Sequence, residues 1–182
     1  QHPDSSIWIR YDTDRPQFMR AAITGPRGTP YESGVFLFDL YFPPSYPQVP
    51  PKMLFLTTAR GSVRFSPNLY QDGKVCLSLL GTFEGPRWGP GSSLYQVLVS
   101  IQGMILGVAH PLYNEPGLGG FETGREGEGG SVHVNRPAVR RYDERTQLAT
   151  LQHAILAHVR SAPVGFEALV QRHFALKRGA IM

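Results

Sequence analysis

The chain has 182 residues, 41% hydrophobic and 18% charged, and its 18 lysines and arginines against 14 acidic residues give a formal charge of +4. These proportions suit one globular domain and exclude a disordered chain, and no apolar run approaches the ~18 residues that a membrane span needs. The basic residues are scattered rather than striped with aromatics, which excludes a nucleic-acid partner, and a single cysteine excludes an intrachain disulfide or a cysteine-rich zinc site. Such cysteine usage implies a reducing compartment, cytoplasmic or nuclear. The opening residues lack the basic and apolar regions of a secretion signal.

Strands come first. Ile7 to Tyr11 is a short β-favouring run ending at Asp12-Thr13-Asp14, and Gln17 to Thr24 forms the second candidate, although Met19 to Ala22 also fits a helical turn. Gly25-Pro26 and Gly28-Thr29-Pro30 supply turn chemistry. Val35 to Phe42 is bulky along its whole length and reads as the clearest strand, with Lys52 to Thr57 as the fourth. Turn-sized gaps between short strands predict an antiparallel meander. Pro43, Pro44, Pro47, Pro50 and Pro51 make the third gap a rigid extended connection, because proline neither donates to a ladder nor continues a helix.

From Ser93 the period changes. Leu94, Val97, Leu98, Ile101, Met104 and Ile105 recur at helical steps, with Ser92 or Ser93 as N-cap and Gly107 as the stop. Residues 117–135, rich in glycine and glutamate, read as a flexible loop. Two helices close the chain. Leu148, Leu151, Ile155 and Val159 are expected to line the buried face of the first, which stops near Pro163; Phe166, Leu169, Val170, His173 and Phe174 line the second. His153, His158 and His173 are read as structural. Strands followed by helices, with no repeat and no linker, make one α+β domain spanning 1–182.

The irregular middle, between the fourth strand and the central helix, carries the chemistry. It holds the only cysteine, Cys76, with Asn68 before it and Trp88 after it. A hydrolytic thiol needs a base such as histidine, and neither His110 nor His133 has a protease context. A carrier thiol needs less, since exchange between a thioester and a partly ionised cysteine proceeds with modest activation. Attack by an amine on such a thioester creates an oxyanion that favours a neutral donor, and an asparagine amide serves. Asn68 is that donor in one reading and a turn residue after Pro67 in the other. Cys76 likewise has a second reading, as a small buried hydrophobe.

Taken in order, Gly25-Pro26, Thr29-Pro30-Tyr31, Gly34-Val35-Phe36, Phe42-Pro43, Tyr46-Pro47 and Pro50-Pro51 resemble the successive signatures of ubiquitin-conjugating enzymes. Pro67-Asn68 with Gly73-Lys74-Val75-Cys76-Leu77 resembles their active-site segment, and Trp88-Gly89-Pro90 the Trp-x-Pro beyond it. The wide Cys76-to-Trp88 interval, Asn114-Glu115-Pro116-Gly117 and the ending His173 to Arg178 with Ile181-Met182 are similar to one subgroup, the conjugating domains of giant proteins that combine conjugating and ligase functions.

The resemblance implies a UBC-like fold: a four-stranded antiparallel meander packed on helices, with a central helix and two C-terminal helices. It implies that Cys76 carries ubiquitin, or a related modifier, as a thioester received from the activating enzyme, and passes it to a lysine of a substrate protein. Asn68 would stabilise the oxyanion or hold the loop, Glu115 would act as a gate acid that orients the lysine, and Tyr113 would pack against its stem. Ser78 occupies a position that is often acidic in the family. Gln48, Pro90 and Gly91 would form the surface that meets a RING-type ligase. No metal, nucleotide or organic cofactor is implied, since ATP is consumed upstream.

Three departures accompany it: Ser66 replaces the family's histidine before Pro67, Gln48 replaces an apolar ligase-contacting residue, and the family's N-terminal helix is expected to be absent before Ile7. The alternative reading is a non-catalytic ubiquitin-binding module of the same fold, against which the pairing of Cys76 with Asn68 argues.

Overall fold

The computed structural model of the chain describes residues 6–116 and 136–181. The glycine-rich stretch expected to be a flexible loop, and the final Met182, lie outside them. Four strands, β1 (Ile7–Tyr11), β2 (Phe18–Thr24), β3 (Val35–Tyr41) and β4 (Lys52–Phe55), form one antiparallel sheet in sequential order. Residues Met19 to Ala22 are strand, paired with Tyr11 to Trp8 on one side and Leu40 to Leu37 on the other.

Alternation along β3 explains why its sequence is apolar throughout. Phe36, Phe38 and Leu40 enter a core that also contains Phe55, Phe65, Val97, Leu98 and Ile101, whereas Val35 and Leu37 face Phe166, Val170 and Phe174. Both sheet faces are therefore covered where β3 is most hydrophobic. Each phenylalanine fully withdrawn from water adds about 1.5–3 kcal/mol relative to exposure.

The central helix begins as α1 (Leu94–Ser100) and continues through a wider turn, Ile101–Ile105, closed by the Leu106 N–H donating to the Ile101 carbonyl at 2.9 Å. Ser93, rather than Ser92, is the N-cap: its hydroxyl accepts from the Gln96 N–H, and its own N–H donates to Gln96 Oε1 at 2.9 Å. Val97, Leu98, Ile101 and Ile105 are buried as the periodicity predicts. Met104 is not; it is 62% exposed.

The next helix runs as α2 (Arg136–Ala149), a wide-turn segment Thr150–Leu156 and a last turn α3 (Ala157–Arg160). Here the expected buried face is wrong. Leu148, Leu151 and Val159 are exposed, and of the four residues named only Ile155 is buried; the inward positions are Thr146, Ala149, Thr150, Ala154 and His158. Gly34 supplies the reason. A Cβ there would lie 2.8 Å from the Thr150 methyl and 3.1 Å from Ala154 Cβ, so the helix and the turn entering β3 approach too closely for leucine.

The last helix, α4 (Glu167–Ile181), buries Val170, His173 and Phe174 against the second face of the sheet, with Phe166 buried just ahead of it. Among the described residues no helix is long and apolar enough to cross a membrane.

Two buried histidines tie these helices to the start of β3 and the turn before it. His158 Nε2 lies 3.1 Å from the Val35 carbonyl and His173 Nε2 2.9 Å from that of Ser33. Burial lowers the pKa of both, and the backbone hydrogen bonds offset this only in part. The unfolded chain therefore binds protons that the native state does not, and stability is full above pH ~6.5 and declines as pH falls below it. Chemical denaturation at stepped pH should show this decline, and glutamine at both positions should flatten it.

Candidate active site

Cys76 is positioned by a turn of its own. Gly73, at φ +91°, reverses the chain where a Cβ would lie 2.5 Å from Leu54 Cδ1, and its carbonyl accepts from the Phe55 N–H at 2.8 Å. The segment 73–76 is thus laid against the end of β4. It also pairs back on the segment before it: the Cys76 N–H donates to the Asn68 carbonyl at 2.8 Å, and the Asn68 amide Nδ2 donates to the Cys76 carbonyl at 3.0 Å. Beyond the cysteine, the Thr82 hydroxyl accepts from the Leu77 N–H at 3.0 Å and donates to the Val75 carbonyl at 2.7 Å. The backbone on both sides of the thiol is therefore held.

Asn68 is buried. Its Nδ2 has given one hydrogen to Cys76, and its Oδ1 has no partner among the described residues. The hydroxyl of Ser66 accepts from the Asn68 N–H at 3.1 Å, so this serine fixes the turn at Pro67. Tyr31, fully buried, donates its hydroxyl to the Phe65 carbonyl at 3.1 Å and anchors the same segment from the core.

The thiol opens on a cavity of about 340 Å³. Asn68, Cys76, Leu77 and Ser78 form one side, and Phe83, Glu84 and Pro86 another. Met104 and Ile105 reach it from the end of the central helix, which accounts for the exposure of Met104. The remaining wall is the segment Tyr113 to Pro116. Cys76 itself is 5% exposed. Five of the residues singled out in the sequence, Cys76, Asn68, Ser78, Tyr113 and Glu115, therefore surround one space.

Several contacts hold the far wall. Asn114 Nδ2 donates to the Met104 carbonyl at 2.9 Å, His110 Nδ1 lies 2.7 Å from the Asp143 carboxylate on α2, and the His110 ring meets that of Tyr113 edge-on. Glu115 Oε2 lies 3.5 Å from Arg64 Nη2. Nearby Tyr142, on α2, has its pKa raised, first by burial, with Arg145 and Arg64 opposing and Glu115 adding. Sequence reading missed Thr82, Arg64 and the His110–Asp143 pair. Only Arg64 left a signal, as a cation between the apolar Val63 and Phe65.

Gln48, Pro90 and Gly91 do not reach this cavity. They are exposed on two loops joined by Trp88, whose Nε1 donates to the Pro47 carbonyl at 2.7 Å and whose ring packs against Tyr46. A larger hollow, about 710 Å³, lies on the sheet beside Arg20, Asp39 and Leu54, but Cys76 does not line it; the smaller cavity is the one with the chemistry. Among the described residues, no cluster of three or more histidine, cysteine or acidic side chains is arranged to hold a metal ion.

Residues 1–117 match the family model described as ubiquitin-conjugating enzyme. Across 98% of its length the chain is 44% identical to the probable ubiquitin-conjugating enzyme protein 17 of Caenorhabditis elegans. Over the same share it is 45% identical to the human dual E2 ubiquitin-conjugating enzyme/E3 ubiquitin-protein ligase BIRC6. It spans only 24% of the first relative and 4% of the second. Among solved structures, the E2 domain of a Toxoplasma gondii ubiquitin conjugating enzyme superposes with a TM-score of 0.57 at 28% identity, over 81% of this chain and 88% of that one.

Proposed function

The chain belongs to the ubiquitin-conjugating enzyme family, and from that premise we propose that it takes ubiquitin from an activating enzyme as a thioester on Cys76 and transfers it to a lysine of a substrate protein. The observation that carries this reading is the cavity in which the single thiol of the chain shares walls with Asn68, Tyr113 and Glu115.

The transfer proceeds in balanced steps. The thiolate of Cys76 attacks the incoming thioester and expels the activating enzyme's thiol. A lysine entering between Tyr113 and Glu115 gives up its ammonium proton to solvent water, and the carboxylate of Glu115 orients the amine for attack on the thioester carbonyl. The carbonyl electrons move to oxygen, the second N–H of the Asn68 amide stabilises that charge, and collapse breaks the C–S bond. The attacking nitrogen passes its extra proton to the released thiolate, and the new amide leaves. Nothing in these steps calls for a metal or an organic cofactor on the chain.

The likeness to BIRC6, a dual E2 conjugating enzyme/E3 ligase by name, supports placing this module within such a hybrid. The loops of Gln48 and of Pro90 and Gly91 are the proposed surface for a RING-type ligase, where one takes part. A thiol carrier of this kind works in the cytoplasm or nucleus.

Incubation with activating enzyme, ATP and ubiquitin, followed by a non-reducing gel, should give an adduct that reductant removes. Ubiquitin binding without an adduct would instead establish a non-catalytic module and overturn the proposal.

A further inference from the structure

Arg64 occupies an unusual place beside the site. Its Nη2 donates to the Pro67 carbonyl at 2.9 Å and lies 3.5 Å from Glu115 Oε2. The guanidinium carbon sits 4.2 Å from the centre of the Tyr70 ring, and Nε is buried without a partner among the described residues. One nitrogen thus spans the segment that delivers Asn68 and the wall that delivers Glu115. These are the two polar groups that the transfer needs on opposite sides of the thioester.

We infer that Arg64 is a positioning residue for discharge, clamping the Asn68 turn and the Glu115 carboxylate at a fixed separation across the cavity. The inference rests on the conjugating activity proposed above. A planar guanidinium suits the task because the two N–H bonds of Nη2 diverge within one fixed plane, and stacking on Tyr70 holds that plane. A lysine ammonium is a point charge without that geometry. Arg64 also offsets the charge of Glu115, so the cavity does not draw in ammonium groups by charge alone. Its removal therefore acts in two directions: Glu115 becomes more attractive to an amine but is no longer held where attack needs it.

That split is measurable. With the thioester preformed and free lysine as acceptor, Arg64→Ala should lower the maximal discharge rate about ten- to hundredfold, the range expected for a displaced but intact group. The apparent KM for lysine should stay level or fall. Charging should change far less than discharge, because the interaction is made only in the second step. Glu115→Ala should raise KM, and the double variant should be no slower than the slower single variant, because the two groups act as one unit. Arg64→Lys, which keeps the charge without the planar donors, should fall between wild type and Arg64→Ala and serves where the alanine variant does not fold.

A double variant slowed by the product of the two single losses, or charging that falls in step with discharge, would overturn the inference while leaving the conjugating function standing. Should the wild-type chain form no thioester, the functional reading fails, and amide NMR of the uncharged chain still decides the clamp. Substitution of Arg64 should shift both the Asn68 side-chain amide and the Glu115 backbone amide, and a shift confined to either one overturns it.

Discussion

Cys76→Ala should abolish the ubiquitin adduct completely, the largest effect expected of any single substitution in this chain. The reason is arithmetic as well as geometric: the chain has one thiol, and the turn at Gly73 places it on the cavity. No second nucleophile on that wall ionises near neutral pH, since the hydroxyl of Ser78 stays protonated there. Cys76→Ser should form a small amount of adduct that survives reductant, because an oxyester replaces the thioester. The fold should tolerate both changes, since the backbone of residue 76 is held through Asn68 and not through its side chain. Thermal melts check this. A reductant-sensitive adduct persisting in Cys76→Ala would place the carrier elsewhere.

Asn68→Ala should slow discharge to free lysine about 100- to 1000-fold, the usual loss when one oxyanion donor is removed. Charging should fall far less, because sulfur-to-sulfur exchange depends chiefly on the thiolate. The structure adds a second, smaller consequence. The Nδ2 bond to the Cys76 carbonyl is lost, which should lower stability by about 1 kcal/mol. The backbone bond from Cys76 N–H to the Asn68 carbonyl survives the substitution and keeps the loop in register. Pulse-chase discharge and a denaturant titration separate the two effects. Equal losses in charging and discharge would make Asn68 a residue of loop folding alone, the reading its place after Pro67 also allowed.

Much of the fold was legible because local pattern and tertiary role agree. The unbroken apolar run of β3 announces a strand covered on both faces, and the three- and four-residue steps from Leu94 announce the central helix. Where they disagree, the sequence misleads. The leucines of α2 and its continuation look like a core stripe, yet the close approach at Gly34 admits only threonine and alanine, and Leu148 and Leu151 turn to solvent. Met104 fits the helical stripe by spacing and instead lines the cavity. At the site, the ordered motifs around Asn68 and Cys76 were readable as a resemblance. Arg64, Thr82 and the His110–Asp143 pair were not, since each acts through a partner that only the folded chain brings near.

The hydrogen bond from Trp88 to the Pro47 carbonyl has a bearing on recognition. Two loops far apart in sequence, one bearing Gln48 and the other Pro90 and Gly91, are joined before anything binds, with the Phe42, Tyr46 and Trp88 rings packed in series behind them. A partner that touches both meets a preorganised epitope, so little conformational entropy is lost on association. For such a partner, affinity would be set by contact chemistry, and a swap at Gln48 should retune partner choice without loosening the neighbouring loop.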